Sequence, residues 1–327
     1  MAGIRAARRI QIGKEDPQGT KVDATTIWRG IGTIQDNLET VFPPEDIGIL
    51  TGTDRQYIPK VEAQLTLEST EATFEQLPYL FEMGIRSVTP TTDSDSAGVY
   101  TYNMVCASTD ILSSTDLAVY TFEGGDNQQE EEFAFGFVKS ITLSGSAGGA
   151  LMMSAEVVGR QVEPGAFTSA VAIPTVEEIL FSKGTLSLDT TAVYPSTTAV
   201  SNTLLAMDLN ITTGWTQVYA ADGQLYFSFI KPVMPEVVLT VTFEHNTSSV
   251  AEKAFWRAGT ARSLSVSFAG STGKTFVASM VGKWESFDKL GEQDGNDIVR
   301  GTFRARYNST AAAMFRAVVQ NGLASLP

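Results

Sequence analysis

Residues Gly270–Thr275 read GSTGKT, the kind of glycine–lysine–threonine run that cradles phosphate in nucleotide-binding loops. That chemistry requires a glycine at 268, where Phe268 stands, and a helix after the loop to point its free N–H groups at the anion. The residues that follow, TFVASMVGKW, alternate as a strand does, so the run is read as a hairpin turn. Asp93, Asp95 and Gly98 imitate the opening of a calcium loop, but Ala97 occupies its fifth position and Met104 its twelfth, where a bidentate glutamate is needed. The acidic run Asp126–Glu132 reads as a solvated hairpin tip. One histidine, His245, and one cysteine, Cys106, rule out a disulfide within the chain and a zinc site of the His/Cys type. A serine hydrolase would have to use His245 as its base, and no GxSxG elbow accompanies it. No catalytic, cofactor-binding or metal-ligating residue is assigned, and the chain is not read as an enzyme.

What remains is the scaffold. The 327 residues suffice for two domains, and 43% hydrophobic with 18% charged residues is globular composition. No apolar run is long enough to span a bilayer, and the basic N-terminus lacks an apolar leader, so synthesis and residence in a cytoplasm are expected. The net charge of −14 is lopsided: 11 Lys/Arg meet 24 Asp/Glu up to residue 165, and 12 meet 13 beyond it. Such acidity repels nucleic-acid phosphates and excludes a sequence-reading DNA binder.

Strand signals dominate. Val61–Glu68, Val99–Cys106, Leu117–Phe122 and Glu132–Leu143 alternate with period two, and the last feeds through SGSAGG into a return strand, a long hairpin. Helical spacing appears at Phe74, Leu77 and Phe81 before Gly84, with Pro78 predicting a short or kinked helix. A second helix is predicted from a capping box at Ser249–Glu252 to Gly259, and a third in the Ala-rich end STAAAMFRAVVQNG. Residues 13–50 are rich in Gly, Pro, Thr and Asp, yet carry Trp28, Ile31 and Phe42; they are read as an arm that packs on another subunit. The patterning breaks again at 161–174, which gives expected domains of 1–165 and 166–327.

Val61–Glu68 (VEAQLTLE) matches Val237–Glu244 (VVLTVTFE) 176 residues later, and in both copies a short helix ending in glycine follows. Two copies of a strand-rich unit imply open sheet edges that recruit further chains unless covered.

The opening RRIQIGKEDPQGTKVDATTIWRG and the later NTLLAMDLNITTGW and ADGQLYFSF resemble tail tube proteins of long-tailed, non-contractile phages, over nearly the whole chain. The resemblance implies a mainly β fold: two tandem tube-like β-sandwich or barrel domains, each flanked by a short α-helix. It further implies trimeric, pseudo-hexameric rings whose inner sheets join into a channel for DNA, and rings stacked into a tube. A virion location after synthesis in the host cytoplasm follows, with tape measure, tail terminator and tail-tip proteins as partners, no cofactor, no membrane and no appended decoration domain. In that setting Trp28, Ile31 and Phe42 would anchor one ring to the next. A virion-surface or receptor-binding β-protein is the alternative; the tube of a contractile machine, usually a single-domain hexamer, fits the repeat less well.

Overall fold

The computed structural model describes residues 3–52, 54–94, 96–106 and 112–326. The first half contains β1 (Arg9–Lys14), β2 (Thr26–Ile27), β3 (Gly32–Leu38), β4 (Val61–Glu71), α1 (Leu77–Gly84), β5 (Thr91–Thr92), β6 (Tyr100–Val105), β7 (Tyr120–Gly125), β8 (Glu130–Ser146), β9 (Met152–Gly159) and β10 (Val162–Pro164). The second contains β11 (Gly184–Thr190), β12 (Ala199–Val200), β13 (Leu204–Thr212), β14 (Trp215–Val218), β15 (Phe229–Pro232), β16 (Glu236–Glu244), α2 (Thr247–Arg257), β17 (Arg262–Ala269), β18 (Thr275–Phe287), β19 (Gly291–Gln293), β20 (Asn296–Ala305) and β21 (Phe315–Asn321). The fold is mainly β, as the alternation predicts.

The pairing repeats. In the first half β1 pairs β7, β7 pairs β8, β8 pairs β9, β9 pairs β4 and β4 pairs β3, all antiparallel, with β10 on the other flank of β8. In the second half β11, β17, β18, β20, β16 and β13 follow the same order, with β21 flanking β18. Each long strand, β8 or β18, serves two layers. It changes partner beside a bulge, between Val138 and Ser140 in one and between Trp284 and Ser286 in the other. An extra residue on one strand bends it and lets it pass from one layer to the next.

Two ladders join the halves. β13 pairs β16 on one side and β8 on the other, with Ala206 opposite Ser146 and Thr212 opposite Ser140. β6, from the first half, pairs β21. Helix α1 is buried along its whole length, and Phe81 stacks on Phe276 of β18 at 5.8 Å. Pro78 falls in the first turn of α1, where its missing N–H breaks no helical bond, so it starts the helix without kinking it. Helix α2 is capped by Asn246, whose side chain accepts from the N–H groups of Ser248 and Ser249; the cap lies three residues before the predicted Ser249. Its one buried carboxylate, Glu252, accepts the Arg262 Nε–H shared between both its oxygens, one hydrogen bond from Nη2, and one from Trp284 Nε1 at 2.8 Å.

The predicted C-terminal helix is corrected by the structure. Ala311 and Ala312 sit in a turn, and β21 alternates Phe315, Ala317, Val319 and Asn321 into the core. The strand wins because β18 and β6 each present it with an unpaired edge, and satisfying both outweighs alanine's helix propensity, a few tenths of a kcal/mol per residue.

The GSTGKT run is the β17–β18 turn. Lys274 pairs with Glu75 at 2.6 Å and Glu177 at 3.2 Å, and Glu177 accepts from Ser271 N–H, so the turn holds the segment leading into the second half. Replacing Arg262 by alanine strands the buried Glu252 carboxylate and is expected to cost about 3–5 kcal/mol, read from denaturant melts. The Ser271 hydroxyl holds the Glu177 carboxyl below its ordinary value of 4.5. Its stabilisation is therefore present above that value and is lost as pH falls through the depressed one. Melts of Glu177→Gln should lie below wild type at neutral pH and converge with it in acid.

Candidate functional site

Strand parity builds a two-faced surface. Residues 61, 63, 65 and 67 of β4 point into the core, so Glu62, Gln64, Thr66 and Glu68 share the opposite face. Their registered partners continue it: Thr33, Gln35 and Asn37 on β3, and Glu156 on β9. Ser140, Thr142 and Ser144 on β8 lie opposite Thr212, Asn210 and Asp208 on β13, and Thr240 on β16 lies between Asp208 and Thr302 of β20. Hydrogen bonds tie neighbours together across the junction of the halves, Thr142 Oγ1 to Asn210 Oδ1 at 2.8 Å and Asn210 Nδ2 to Asp208 Oδ1 at 2.7 Å. The result is one continuous sheet, β3–β4–β9–β8–β13–β16–β20–β18, with an apolar back and a front of hydroxyls, amides and carboxylates among which Lys283 and Arg300 also stand exposed. On the front, Arg304 is taken up by ion pairs with Glu236 and Glu285.

Both ends of this sheet are open. β3 has β4 on one side and no strand among the described residues on the other; Glu39 N–H donates to Lys60 O and Glu68 N–H to Ile31 O, so the N–H groups of Gly32, Ile34, Asp36 and Leu38 face outward. At the far end, residues 283–293 pair with β20 and with no other strand among the described residues, and Trp256 Nε1 of α2 donates to Glu285 O at 3.1 Å.

The segments between matching strands differ in what covers them. Residues 213–235, between β13 and β16, fold back on the first half and bury Trp215, Phe227 and Ile230 against Leu117, Val119, Phe137 and Val158. Arg160 seals this small core, its guanidinium over Phe135 at 4.6 Å and donating to Ser228 O at 3.0 Å. Residues 39–60, the counterpart between β3 and β4, leave Phe42, Ile47, Ile49 and Leu50 at 57–107% exposure. The helices contrast in the same way: α1 is enclosed, while α2 leaves Val250 exposed and buries only Ser249 and Glu252.

Of the residues singled out for the arm, Phe42 and Ile31 are exposed, at 67% and 47%. Trp28 is buried at 5% in the chain's own core, and its N–H donates to Ile10 O. Residues 13–30 are therefore not a free arm. β1 and β2 pair, Glu15 is buried, accepting from Phe135 N–H and Thr121 Oγ1, residues 32–38 pair with β4, and the exposed Phe42, Ile47, Ile49 and Leu50 belong to the stretch between β3 and β4. The acidic run at 126–132 is the exposed β7–β8 turn and the strand leaving it. Asp95 of the calcium-like sequence lies outside the described residues. No group of three or more His, Cys, Asp or Glu able to hold a metal occurs among the described residues. Cys106 is buried, which pushes its thiol up to about 12 and fits a small packing residue. No helix of the described residues is long and apolar enough to cross a membrane.

The repeat implied open edges, but which strands carry them and the polar front escaped the sequence reading, because period two marks a strand's faces but not its neighbours. No curated protein matches the chain. A sequence profile described as phage tail tube protein matches residues 6–311. With that span covering nearly all of the sheet just described, the chain belongs to the phage tail tube protein family.

Proposed function

We propose that three copies of this virion tail subunit close into a ring, that each chain supplies two tandem tube units divided near residue 165, and that rings stack around a channel through which DNA leaves the head. The observation that carries the reading is the β8–β13 ladder. Within one chain it splices the sheet of the first half onto that of the second, and the same splice is left open at both ends of the molecule. β3 holds in the first half the place that β13 holds in the second, and residues 283–293 hold the place of the end of β8. Pairing β3 of one chain with 283–293 of the next continues the sheet without a free edge once the ring closes. The contact is heterologous, so closure yields a ring.

In such a ring the polar front faces the axis. Glu62, Glu68, Glu156, Asp208 and Glu244 would line the channel, outnumber the exposed Lys283 and Arg300 on the same face and repel phosphates, so that DNA passes without adhering. The exposed face of α2 would meet the neighbouring chain as α1 meets the second half of its own. The exposed stretch, with Ile31 beside the sheet and Phe42, Ile47, Ile49 and Leu50 further out, would reach the next ring. Tape measure, terminator and tail-tip proteins would meet the ends of the stack.

Asp36→Pro removes one outward N–H of β3 and none that β4 uses. The variant should melt as wild type does and form no tubes by negative-stain microscopy; tubes of normal abundance would refute edge pairing. Replacing Phe42, Ile47, Ile49 and Leu50 together by serine should leave single rings in sedimentation while abolishing long tubes, since burying each apolar side chain contributes about 1.5–3 kcal/mol.

A further inference from the structure

The internal splice has a second component, and it differs chemically from its counterpart between chains. A 3-10 turn, Phe181–Lys183, immediately precedes β11. The strip leading into it clamps the tip of the β8–β9 hairpin: Leu151 N–H donates to Ile179 O at 2.7 Å, and Phe181 N–H to Gly149 O at 3.0 Å. The clamp is apolar, with Ile179, Phe181 and Leu151 all buried. The first half opens in the same way, with a 3-10 turn at Arg5–Ala7 just before β1. Within the chain the strip leading into this turn touches the β7–β8 turn, Ile4 N–H donating to Asn127 Oδ1 at 2.9 Å, and among the described residues it clamps no tip of the β8–β9 kind. It stands beside the start of β3, Arg5 and Arg8 sharing a cleft with Gly30, Ile31 and Gly32. The hairpin that corresponds to β8–β9 is β18/β19–β20, and its tip, Gln293–Asn296, is a tight Asp–Gly turn with both residues at positive φ.

We infer that the N-terminal turn of one chain docks on the β19–β20 tip of the next, and that charge replaces the apolar clamp: Arg5 and Arg8 on one side, Glu292 and Asp294 on the other. The occupant is a second copy of this chain, and the inference rests on the ring reading above. The four side chains are exposed and make no ion pair among the described residues. Arg8 also lines a cleft with Asp126 and Glu131 but bridges to neither. Register supports the placement. Ala206 and Met207 at the start of β13 lie opposite Ser146 and Gly145 next to the hairpin tip, so the start of β3, where the arginines stand, falls opposite 294–295 of the neighbour. Complementary charge of this kind sets partner choice and register, and salt weakens it.

The test uses the full chain. Reversing one side (Arg5→Glu with Arg8→Glu) or the other (Glu292→Lys with Asp294→Lys) should raise the concentration needed for tube formation at low salt by about tenfold. The quadruple variant should return to within about threefold of wild type, because the pairing is restored with its polarity inverted. Sedimentation and microscopy read assembly, and thermal melts of the unassembled chains check that the fold is intact. Single-side variants that assemble as wild type does, or a quadruple variant that fails to recover, overturn the clamp while the tube reading stands. Wild-type chains that never form tubes overturn the ring reading and the clamp with it.

Discussion

Every feature of this molecule that bears on its role follows from one requirement: a strand with a polar edge must find a partner or be left to recruit one. Inside the chain that requirement is met by the β8–β13 ladder, seven registered residue pairs long, from Ala206 opposite Ser146 to Thr212 opposite Ser140. The ladder does more than tie two halves together. It fixes which faces align, because a one-residue slip would turn Ile141 and Leu209 outward and expose the core. The continuous polar front therefore depends on a register that the apolar back enforces.

The repeat is stronger in topology than in sequence. Twelve pairings in two matched sets of six share one order, and each long strand changes layer beside a bulge. Yet the detailed chemistry has diverged. Glu156 of β9 stands where Arg300 of β20 stands in the second half, both opposite the matched strands β4 and β16. Helix α1 fills the space between halves with Phe81 against Phe276, whereas α2 is pinned by the buried Glu252–Arg262 pair and leaves much of its surface open. Divergence of this sort is what a sheet repeat permits, since backbone pairing is indifferent to most side chains on the solvated face.

Legibility in the sequence tracked how local the deciding forces were. The β8–β9 hairpin was plain because alternating Phe133, Phe137, Ile141 and Leu143 sit beside a Gly/Ser turn, all within 30 residues. The C-terminal strand was misread because its deciding partners, β6 and β18, lie far away in the chain, and Ala311–Ala313 argue locally for a helix. Residues 13–50 were read as one arm because weak periodicity hides short strands. In the fold, Ala24 and Trp28 draw the first part into the core beside Ile10 and Ile12, β3 joins the sheet, and the residues after it are exposed. The candidate assembly surface was half visible: the serines, threonines and carboxylates at alternate positions were there to see, but the order of strands that gathers them into one front is a tertiary fact. The true helix cap, Asn246, was missed by three residues because Ser249 also satisfies the capping pattern, and the chosen box began one turn late.

The contrast between the two kinds of splice follows from when each forms. The β8–β13 junction is made while the chain folds, between parts held at high effective concentration by their own linker, so buried Phe181, Ile179 and Leu151 can seal it without ever facing water as a finished surface. A junction between chains of the proposed ring would wait exposed until the neighbouring chain arrives. Apolar groups of that kind at both open ends would promote contacts in any register, whereas arginines and carboxylates stay hydrated until the matching tip arrives and disfavour a mismatched one. Of the exposed apolar residues, Ile4, Ile31, Leu38 and Leu290 are spread over the two open ends, whereas Phe42, Ile47, Ile49 and Leu50 share the loop between β3 and β4. In the proposed tube, order of assembly would be encoded in surface chemistry: backbone pairing guided by charge would close the ring, and apolar burial would join one closed ring to the next.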